Sequence, residues 1–240
     1  MQELKGKVAL ITGASKGIGL GIAEAMVKEG MKVAVTSRSQ SAADEAAAEL
    51  NNIAADSAIG IEADVVNYSA QEASVKKTID AFGKIDVLIA NAGVGHFAPI
   101  EEMSHQDWQQ TIDINLTGVF NSVKASIPAI KNTEGYIITI ASLAGTNFFA
   151  QGAAYNASKF GLVGFSQAIM LDLRKHGVKV STIMPGSVAT YFNGHTPNKE
   201  DTWKIQPEDI GQMTIDLLRM HPRTLPSKVE VRPSIPPSAR

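Results

Sequence analysis

Residues 8–19 read VALITGASKGIG, a short apolar run that ends in a glycine-rich turn. The run from Val8 to Ile11 is apolar throughout, which is typical of a strand buried on both faces of a parallel sheet. We expect a helix to begin at about Gly17, directly after the turn. This strand–turn–helix unit predicts a parallel α/β fold, because parallel strands need long crossover connections that are usually helical.

The same alternation continues along the chain. Further strands are expected at 31–36, 57–62, 85–90, 136–141, 178–184 and 228–232, and further helices at 41–51, 68–82, 106–131, 155–175 and 207–220. We therefore predict one domain over residues 1–240, a single Rossmann-like, doubly wound parallel sheet of about seven strands with helices on both faces. Residues 190–206 are a candidate substrate lid, and the Pro-rich tail at 233–240 has no assigned function.

The composition is that of a globular protein, with 44% hydrophobic and 19% charged residues and a formal net charge of −2. Because the sequence has no long basic run, we expect neither nucleic acid nor membrane as a partner. It has no apolar stretch of membrane-spanning length and no signal-peptide pattern, so a cytoplasmic location is expected. The absence of cysteine excludes disulfides, thiolate metal sites and cysteine nucleophiles, and we predict no metal site.

The glycine-rich turn lies where backbone N–H groups and the dipole of the following helix can receive a pyrophosphate. Its glycines, Gly13, Gly17 and Gly19, have the spacing G-x3-G-x-G. This is not the G-x-G-x-x-G order of the dinucleotide fingerprint. An ordinary glycine-containing turn between a strand and a helix is therefore an equally good interpretation of the turn alone.

The end of the second predicted strand bears on which dinucleotide such a turn would bind. NAD sites usually carry an acidic residue about 20 positions further on, which binds the adenosine ribose. Here the sequence reads Thr36-Ser37-Arg38-Ser39, without a carboxylate. Arg38 offers a planar cation, Ser37 a hydroxyl, and Lys16 can approach the same 2′-phosphate. Arg38 can also be a solvated strand-end charge, but the two cations favour NADP(H).

Tyr155 and Lys159 are four residues apart at the start of a predicted helix, so they lie on one helical face. The ordinary pKa of tyrosine is near 10, and an adjacent ammonium favours the phenolate. Lowering the pKa to about 7 takes roughly 4 kcal/mol of differential stabilisation. We expect Lys159 and the charge of an oxidised nicotinamide to supply it. Such a pair is common on surface helices, so it does not decide the function alone.

Three further positions strengthen the interpretation. Ser142 follows a predicted strand at the same sheet edge, where its hydroxyl can hydrogen-bond a substrate carbonyl. Asn115 lies among apolar residues, so its amide must find partners. A structural role, with bonds to backbone or water, is compatible with positioning a water beside Lys159. The turn 91–93 reads Asn-Ala-Gly and lets backbone approach a cofactor closely, although Asn91 can equally tie strands together.

Taken together, these motifs resemble the short-chain dehydrogenase/reductase family, in particular its 3-oxoacyl-acyl-carrier-protein reductases and NADP-dependent carbonyl reductases. The matching elements, in family order, are TGASKGIG at 12–19, Asp64-Val65, NAG at 91–93, Asn115, Ser142, YNASK at 155–159, and Pro185-Gly186 with Thr190.

The resemblance implies a role for each matching position. Tyr155 would be the general acid in carbonyl reduction, and Lys159 would lower its pKa and hold the nicotinamide ribose. Ser142 would orient the carbonyl, and Asn115 would hold a water of a proton relay. The implied NADP(H)-binding residues are Gly13, Ser15, Lys16, Gly17, Ile18, Gly19, Ser37, Arg38, Asp64, Val65, Asn91, Ala92, Gly93, Tyr155, Lys159, Pro185, Gly186, Val188 and Thr190.

The loops beside the catalytic edge are expected to contact the substrate. Their candidate residues are His96, Phe148, Phe149 and Phe192, with Phe97, Asn147, Tyr191 and Trp203 in the same loops. Most are apolar, which favours a ketone or aldehyde with hydrophobic substituents. Each aromatic ring can instead serve lid or subunit packing, and a loop histidine can simply face solvent.

Three functions remain open from the sequence. The first is NADP(H)-dependent interconversion of a free carbonyl compound and its alcohol. The second is 3-oxoacyl-[acyl-carrier-protein] reduction, which must dock an acidic carrier; residues 174–176, Arg-Lys-His, are the only modest basic cluster. The third is a non-catalytic NADP(H) sensor, which would be expected to lack Tyr155 or Lys159. The resemblance also implies a homodimer or homotetramer with its dimer faces on helices 106–131 and 155–175.

Overall fold

The computed structural model describes residues 3–236, and its strands form a single seven-stranded sheet. Neighbouring strands are parallel throughout, in the order β3-β2-β1-β4-β5-β6-β7. The predicted doubly wound parallel sheet is confirmed. The strands are β1 (Val8–Ile11), β2 (Lys32–Ser37), β3 (Ala58–Glu62), β4 (Val87–Ala90), β5 (Tyr136–Ile140), β6 (Lys179–Pro185) and β7 (Lys228–Val231).

Helices cover both faces of the sheet, and each face has its own hydrophobic cluster. Ala9 and Ile11 point to the cluster that contains Met26, whereas Leu10 points to the cluster that contains Ile130. This alternation explains why every residue of β1 is apolar. The helices are α1 (Gly17–Lys28), α2 (Gln40–Ile53), α3 (Tyr68–Phe82), α4 (His105–Ile112), α5 (Gly118–Asn132), α6 (Ala153–Leu173) and α7 (Pro207–Arg219).

The order of strands reverses at β1, which pairs with β2 on one side and with β4 on the other. In open parallel sheets this switch point creates a crevice beyond the carboxyl ends of the strands. The turns that follow β1 and β4 therefore lie side by side at that edge. They are the glycine-rich turn and the Asn91–Gly93 turn.

The long helix predicted over 106–131 is present, but it is not α-helical throughout. Between α4 and α5 the chain makes a π turn, Asp113–Thr117, which contains Asn115. The Asn115 amide hydrogen-bonds both backbone groups of Val94, accepting from its N–H at 2.8 Å and donating to its carbonyl at 2.9 Å. We attribute the extra residue of the π turn to this contact, because such insertions redirect a side chain within a helix.

The candidate lid at 190–206 consists of two short 3₁₀ helices, Phe192–Gly194 and Lys199–Trp203, joined by irregular chain. Its two ends meet, because Val188 and Ile205 form a parallel bridge outside the main sheet. Part of the predicted tail, residues 237–240, lies outside the described residues. No helix within residues 3–236 is long and apolar enough to cross a membrane.

Candidate active site

Tyr155 and Lys159 lie one turn apart near the start of α6, at the carboxyl edge of the sheet. Lys159 is only 4% exposed, and its Nζ lies 5.7 Å from the centroid of the Tyr155 ring. The same Nζ donates a hydrogen bond to the carbonyl of Ile140, the last residue of β5, at 3.1 Å. The ammonium is therefore fixed between the tyrosine and the end of β5.

Burial sets the protonation of this pair. It lowers the pKa of Lys159 to about 8, so the side chain remains largely protonated at neutral pH. Burial raises the pKa of Tyr155, and hydrogen bonding to Ser142 lowers it by a smaller amount. The chain alone therefore does not lower the pKa of Tyr155 as the sequence led us to expect. A contribution from a bound oxidised nicotinamide stays a prediction.

Ser142 lies just after β5, beside the last residue of the neighbouring strand β6. Its Oγ accepts a hydrogen bond from the Ala144 N–H at 3.1 Å and lies 3.5 Å from the carbonyl oxygen of Pro185, to which it donates. The side chain thereby caps the 3₁₀ turn Leu143–Gly145. These contacts place a hydroxyl beside Tyr155, as predicted for a group that orients a substrate carbonyl.

Asn115 is fully buried and connects three parts of the site. Besides its two bonds to Val94, its Nδ2 donates to the Ser158 Oγ at 3.0 Å, and that hydroxyl donates to the Tyr155 carbonyl at 2.8 Å. Both amide donors and the amide oxygen are thus used within the protein. The side chain therefore has a structural role, and the water of a proton relay beside Lys159 stays a prediction.

The glycine-rich turn after β1, here called the phosphate turn, and the Asn91–Gly93 turn after β4 are held together by hydrogen bonds. Asn91 Nδ2 donates to the carbonyls of Thr12 and Gly13 at 2.9 Å each, and Thr12 Oγ1 accepts from the N–H groups of Asn91 and Ala92. A Cβ on Gly13 would lie 2.8 Å from the Ala92 Cα, and φ is +62° there. Only glycine fits this close approach. The hydrogen bonds of Asn91 tie the ends of β1 and β4 together.

The start of α1 offers unfilled donors for an anion. No side chain caps this helix at Lys16 and no acidic residue occurs in its first turn, whereas Ser39, Asn67 and Ser104 cap α2, α3 and α4. Free N–H groups at a helix start are a natural site for a phosphate. The residues present therefore fit a pyrophosphate, and Ser15, Ile18 and Gly19 lie in the same turn.

The other predicted cofactor residues also follow the strand ends along this edge. Ser37 ends β2 and Arg38 is exposed beside it. Asp64 and Val65 follow β3; the Asp64 carboxylate accepts a hydrogen bond from the Val66 N–H at 3.1 Å. A Cβ on Gly93 would lie 3.6 Å from the Lys159 Nζ, so this glycine leaves space beside the ammonium.

The segment after β6 reaches back to the phosphate turn. A Cβ on Gly17 would lie 3.4 Å from Thr190 Cγ2, and Lys16 Nζ lies 5.1 Å above the ring of Tyr191. Pro185, Gly186 and Val188 precede these residues at the same edge. Lys16, predicted to bind a 2′-phosphate, thus contacts the lid here.

Aromatic rings surround Tyr155 on the substrate side. The Phe97 and Phe192 ring centroids lie 5.5 and 5.6 Å from that of Tyr155, and Phe149 lies 5.7 Å from Phe97. Of the predicted substrate residues, Phe192 therefore contacts Tyr155, and Phe149 joins the same ring cluster through Phe97. Phe97, named with them from the sequence, contacts the tyrosine directly.

The other two predicted substrate residues have different surroundings. His96 binds side chains of α4, with Nε2 at 2.7 Å from Gln110 Oε1 and Nδ1 at 3.4 Å from Asp107 Oδ1. Phe148 is 87% exposed and makes none of the ring contacts around Tyr155. Their contact with a substrate stays a prediction that these positions do not favour.

Two structural residues of the site were missed in the sequence. Asn156 Nδ2 donates to the carbonyls of Ala144 and Asn147 at 2.9 Å each, which fixes the loop that carries Phe149. Its place inside the YNASK stretch was the available signal. Asp201 had no sequence signal, because nothing local marks it as buried.

Asp201 organises the lid from within. It is 5% exposed, and its carboxylate contacts His195 Nε2 and Lys204 Nζ at 2.6 Å each. The hydrogen bonds from Lys204 and His195 hold the pKa of Asp201 well below its usual range. The Asn198 N–H donates to the same carboxylate at 3.0 Å. One carboxylate thus joins the residues on both sides of the second 3₁₀ helix.

Comparisons with known proteins agree with this geometry. The family model "short chain dehydrogenase" matches residues 7–201. A 3-oxoacyl-[acyl-carrier-protein] reductase from Synechocystis sp. is 41% identical over 192 residues, 79% of this chain and 77% of the relative.

Two solved structures extend the likeness to almost the whole chain. Alcohol dehydrogenase from the archaeon Thermococcus sibiricus, complexed with 5-hydroxy-NADP, has a TM-score of 0.90 at 30% identity, over 95% of this chain and 97% of that one. The 3-ketoacyl-(acyl-carrier-protein) reductase from Brucella melitensis, complexed with NADH, has a TM-score of 0.87 at 26% identity, over 96% and 98%. Because the family model matches most of the chain, the chain belongs to the short chain dehydrogenase family, and it is an oxidoreductase of that family.

Proposed function

We propose that the protein is an NADP(H)-dependent oxidoreductase that interconverts a ketone or aldehyde and its alcohol by hydride transfer. The observation that carries the proposal is the convergence of Tyr155, Ser142 and Lys159 at one sheet edge, beside an uncapped helix start that can receive a pyrophosphate. Tyr155 is the general acid for reduction and the general base for oxidation.

A nicotinamide cofactor held at this edge would supply the hydride in reduction and accept it in oxidation. Tyr155 gives its phenolic proton to the carbonyl oxygen, and Ser142 donates a hydrogen bond to the same oxygen. Both groups act where negative charge develops, which is where fixed donors accelerate a reaction most. The Ser142 Oγ is held in place by the Ala144 N–H, and its one proton turns from the Pro185 carbonyl, 3.5 Å away, to the substrate oxygen.

Lys159 stabilises the phenolate that Tyr155 becomes after proton transfer. Its ammonium is protonated at neutral pH and lies in a buried position, where a charge is only weakly screened. The space beside Gly93 also lets Lys159 hold a ribose hydroxyl of the cofactor. Asn115 keeps α6 in register with the Asn91–Gly93 turn through Ser158 and Val94.

The preference for NADP(H) rests on Arg38, Ser37 and Lys16. Arg38 is exposed at the end of β2 and carries a planar cation suited to a phosphate. Lys16 is exposed in the phosphate turn and makes a cation–π contact with Tyr191 that a 2′-phosphate can replace. Family membership alone is compatible with either dinucleotide.

The substrate that suits this site is a free carbonyl compound with an apolar substituent. The rings of Phe97 and Phe192 pack against Tyr155, and the ring of Phe149 packs against Phe97. Apolar walls with a few convergent polar groups are typical of small-molecule sites.

Reduction of a 3-oxoacyl-[acyl-carrier-protein] is the second candidate function. The observation in its favour is the 41% identity to a reductase of that activity. Desolvation lowers the pKa of His176, and the nearby charges of Lys131 and Lys175 lower it further, which marks a small basic cluster. Within one chain, however, this small basic cluster lies about 28 Å from Tyr155, at the far end of α6.

A second copy of the chain is the partner we propose for the outer face of α5 and α6. Phe120, Phe160 and Leu171 are 47%, 43% and 59% exposed on these helices. Large exposed apolar side chains on adjacent helices are typical of an interface. A homodimer or homotetramer would bury them, and light scattering of wild-type protein and the Phe160→Lys variant tests this.

A screen of NADPH oxidation separates the candidate functions. The substrates are aliphatic ketones, aryl ketones, aldehydes and a 3-oxoacyl thioester, presented both free and on the acyl carrier protein. We expect turnover of free ketones or aldehydes with kcat/KM at least equal to that of the carrier-bound thioester. A large advantage for the carrier-bound substrate would support the second candidate, and no turnover with any substrate would support a sensor.

A further inference from the structure

Gly95 follows the Asn91–Gly93 turn and is buried. Its backbone does not require glycine, since Gly95 is not among the glycines with positive φ. The preceding residue, Val94, is held through both backbone groups by Asn115. Gly95 therefore belongs to a fixed part of the site, and its lack of a side chain needs another explanation.

The explanation is the ring of Phe192. A Cβ on Gly95 would lie 2.5 Å from Phe192 Cζ, 2.7 Å from Phe192 Cε1 and 2.9 Å from Phe97 Cζ. Carbon atoms in favourable contact are about 3.5 to 4.0 Å apart. The Phe192 ring thus rests directly on the backbone of Gly95, in the volume that any other side chain would occupy.

The same ring also contacts the catalytic tyrosine. Its centroid lies 5.6 Å from that of Tyr155 and 6.3 Å from that of Phe97. Phe192 comes from the lid, between exposed Tyr191 and exposed Asn193. Gly95 lies in a fixed part of the site, whereas Phe192 lies in the peripheral lid. A methyl group at position 95 would therefore displace the Phe192 ring and not the segment that contains Gly95.

We propose that Gly95 determines substrate specificity by setting how closely Phe192 closes over Tyr155. Because position 95 has no side chain, the Phe192 ring lies close to Tyr155. The space beside the reacting carbonyl therefore suits a small apolar substituent. A side chain at position 95 lifts the ring and removes that close wall. The inference rests on the proposed function, because it concerns the substrate of the Tyr155 reaction.

Steady-state kinetics with saturating NADPH test the proposal with 2-butanone and 2-octanone, which differ in the length of one substituent. For Gly95→Ala we expect KM for 2-butanone to rise about tenfold, equal to about 1.4 kcal/mol. We expect KM for 2-octanone and kcat for both ketones to change less than about twofold, because the catalytic groups stay in place.

A double-mutant cycle supplies the control. In the Phe192→Ala background, Gly95→Ala should leave the ratio of the two KM values nearly unchanged, because the ring nearest to position 95 is gone and only the milder 2.9 Å contact with Phe97 Cζ remains. An unchanged ratio for Gly95→Ala alone would overturn the proposal. So would a shift that keeps its full size in the Phe192→Ala background.

A readout without turnover separates failure of this inference from failure of the proposed function. Limited proteolysis within residues 190–206 should be faster for Gly95→Ala than for wild-type protein, and equal in the Phe192→Ala background with or without Gly95→Ala. Absence of wild-type turnover with every carbonyl compound contradicts the proposed function. Equal proteolysis of Gly95→Ala and wild type contradicts the seating of Phe192 on Gly95.

Discussion

The ammonium of Lys159 lies 5.7 Å from the centroid of the Tyr155 ring while its Nζ donates to the Ile140 carbonyl at 3.1 Å. It is 4% exposed, and burial lowers its pKa from 10.5 to about 8. The proposed reaction needs the positive charge of Lys159, yet this charge lies in a buried position where desolvation disfavours it. Stability and function make opposite demands on this side chain.

Replacing Lys159 with methionine should stabilise the ligand-free protein at pH 7. The lowered pKa corresponds to about 3 kcal/mol against the charged form, and loss of the bond to Ile140 returns about 1 kcal/mol. We expect Lys159→Met to raise the free energy of unfolding by about 2 kcal/mol, measured with urea.

The pH dependence of this gain has a definite sign. The folded-state pKa lies below the unfolded value, so wild-type protein gains stability as pH rises from about 8 to 10.5. The advantage of Lys159→Met should therefore shrink when unfolding is repeated at pH 10. A variant less stable than wild type at pH 7 would contradict this account of Lys159.

Carbonyl reduction should decline above pH 8. Lys159 loses its charge there, whereas Tyr155, whose pKa is raised by burial, still carries the proton that it donates. The measurement is kcat/KM for a ketone between pH 6 and 10, where we expect a plateau followed by a fall. A profile that stays flat to pH 10 would show that the Lys159 charge does not assist the reaction.

Arg38 should carry most of the discrimination between dinucleotides. Hydrogen bonds to a charged group contribute about 1.5 to 3 kcal/mol, so Arg38→Leu should raise KM for NADPH about 10- to 100-fold. KM for NADH should change little, because NADH has no 2′-phosphate. Arg223→Leu, at another exposed arginine, is the matched control. Equal weakening of both cofactors in the Arg38 variant would refute the assignment.

Asp201 should hold the lid together. Asp201→Asn removes the charge that binds both His195 and Lys204, so the lid should open more often. We expect severalfold faster limited proteolysis within residues 190–206 and little change in Tm, since the sheet is untouched. The neighbouring Glu200→Gln change removes an exposed carboxylate and is the control. If both variants are cleaved equally fast, the buried carboxylate does not anchor the lid.

Local pattern was sufficient for much of the fold. The bounds predicted for β1 and α3 and the start predicted for α1 coincide with those observed, because each element has a clear local signal. For α3 that signal is Gly83, whose φ of 84° ends the helix directly after Phe82. The π turn at Asp113–Thr117 was not predictable in this way, because its cause is a contact with Val94, about twenty residues away in sequence.

The candidate site likewise has residues that the sequence predicts and residues that only the structure identifies. The predicted catalytic residues converge because they follow strand ends of a parallel sheet, which topology alone brings together. Which of Phe148 and Phe149 joins the rings around Tyr155 depends on how Asn156 holds their loop, and the sequence does not state that. Gly95 gives no signal either, since its importance lies in a ring from the distant lid.

The most direct test of the proposed chemistry is the Tyr155→Phe variant, assayed for NADPH oxidation with the best ketone of the substrate screen. This change removes only the hydroxyl, so the rings of Phe97 and Phe192 keep their partner and the other cofactor residues are unaltered. We expect unchanged Kd for NADPH and a fall in kcat of about 10²-fold or more, the scale of general acid catalysis. Near-normal kcat in Tyr155→Phe would contradict the assignment of Tyr155 as the proton donor.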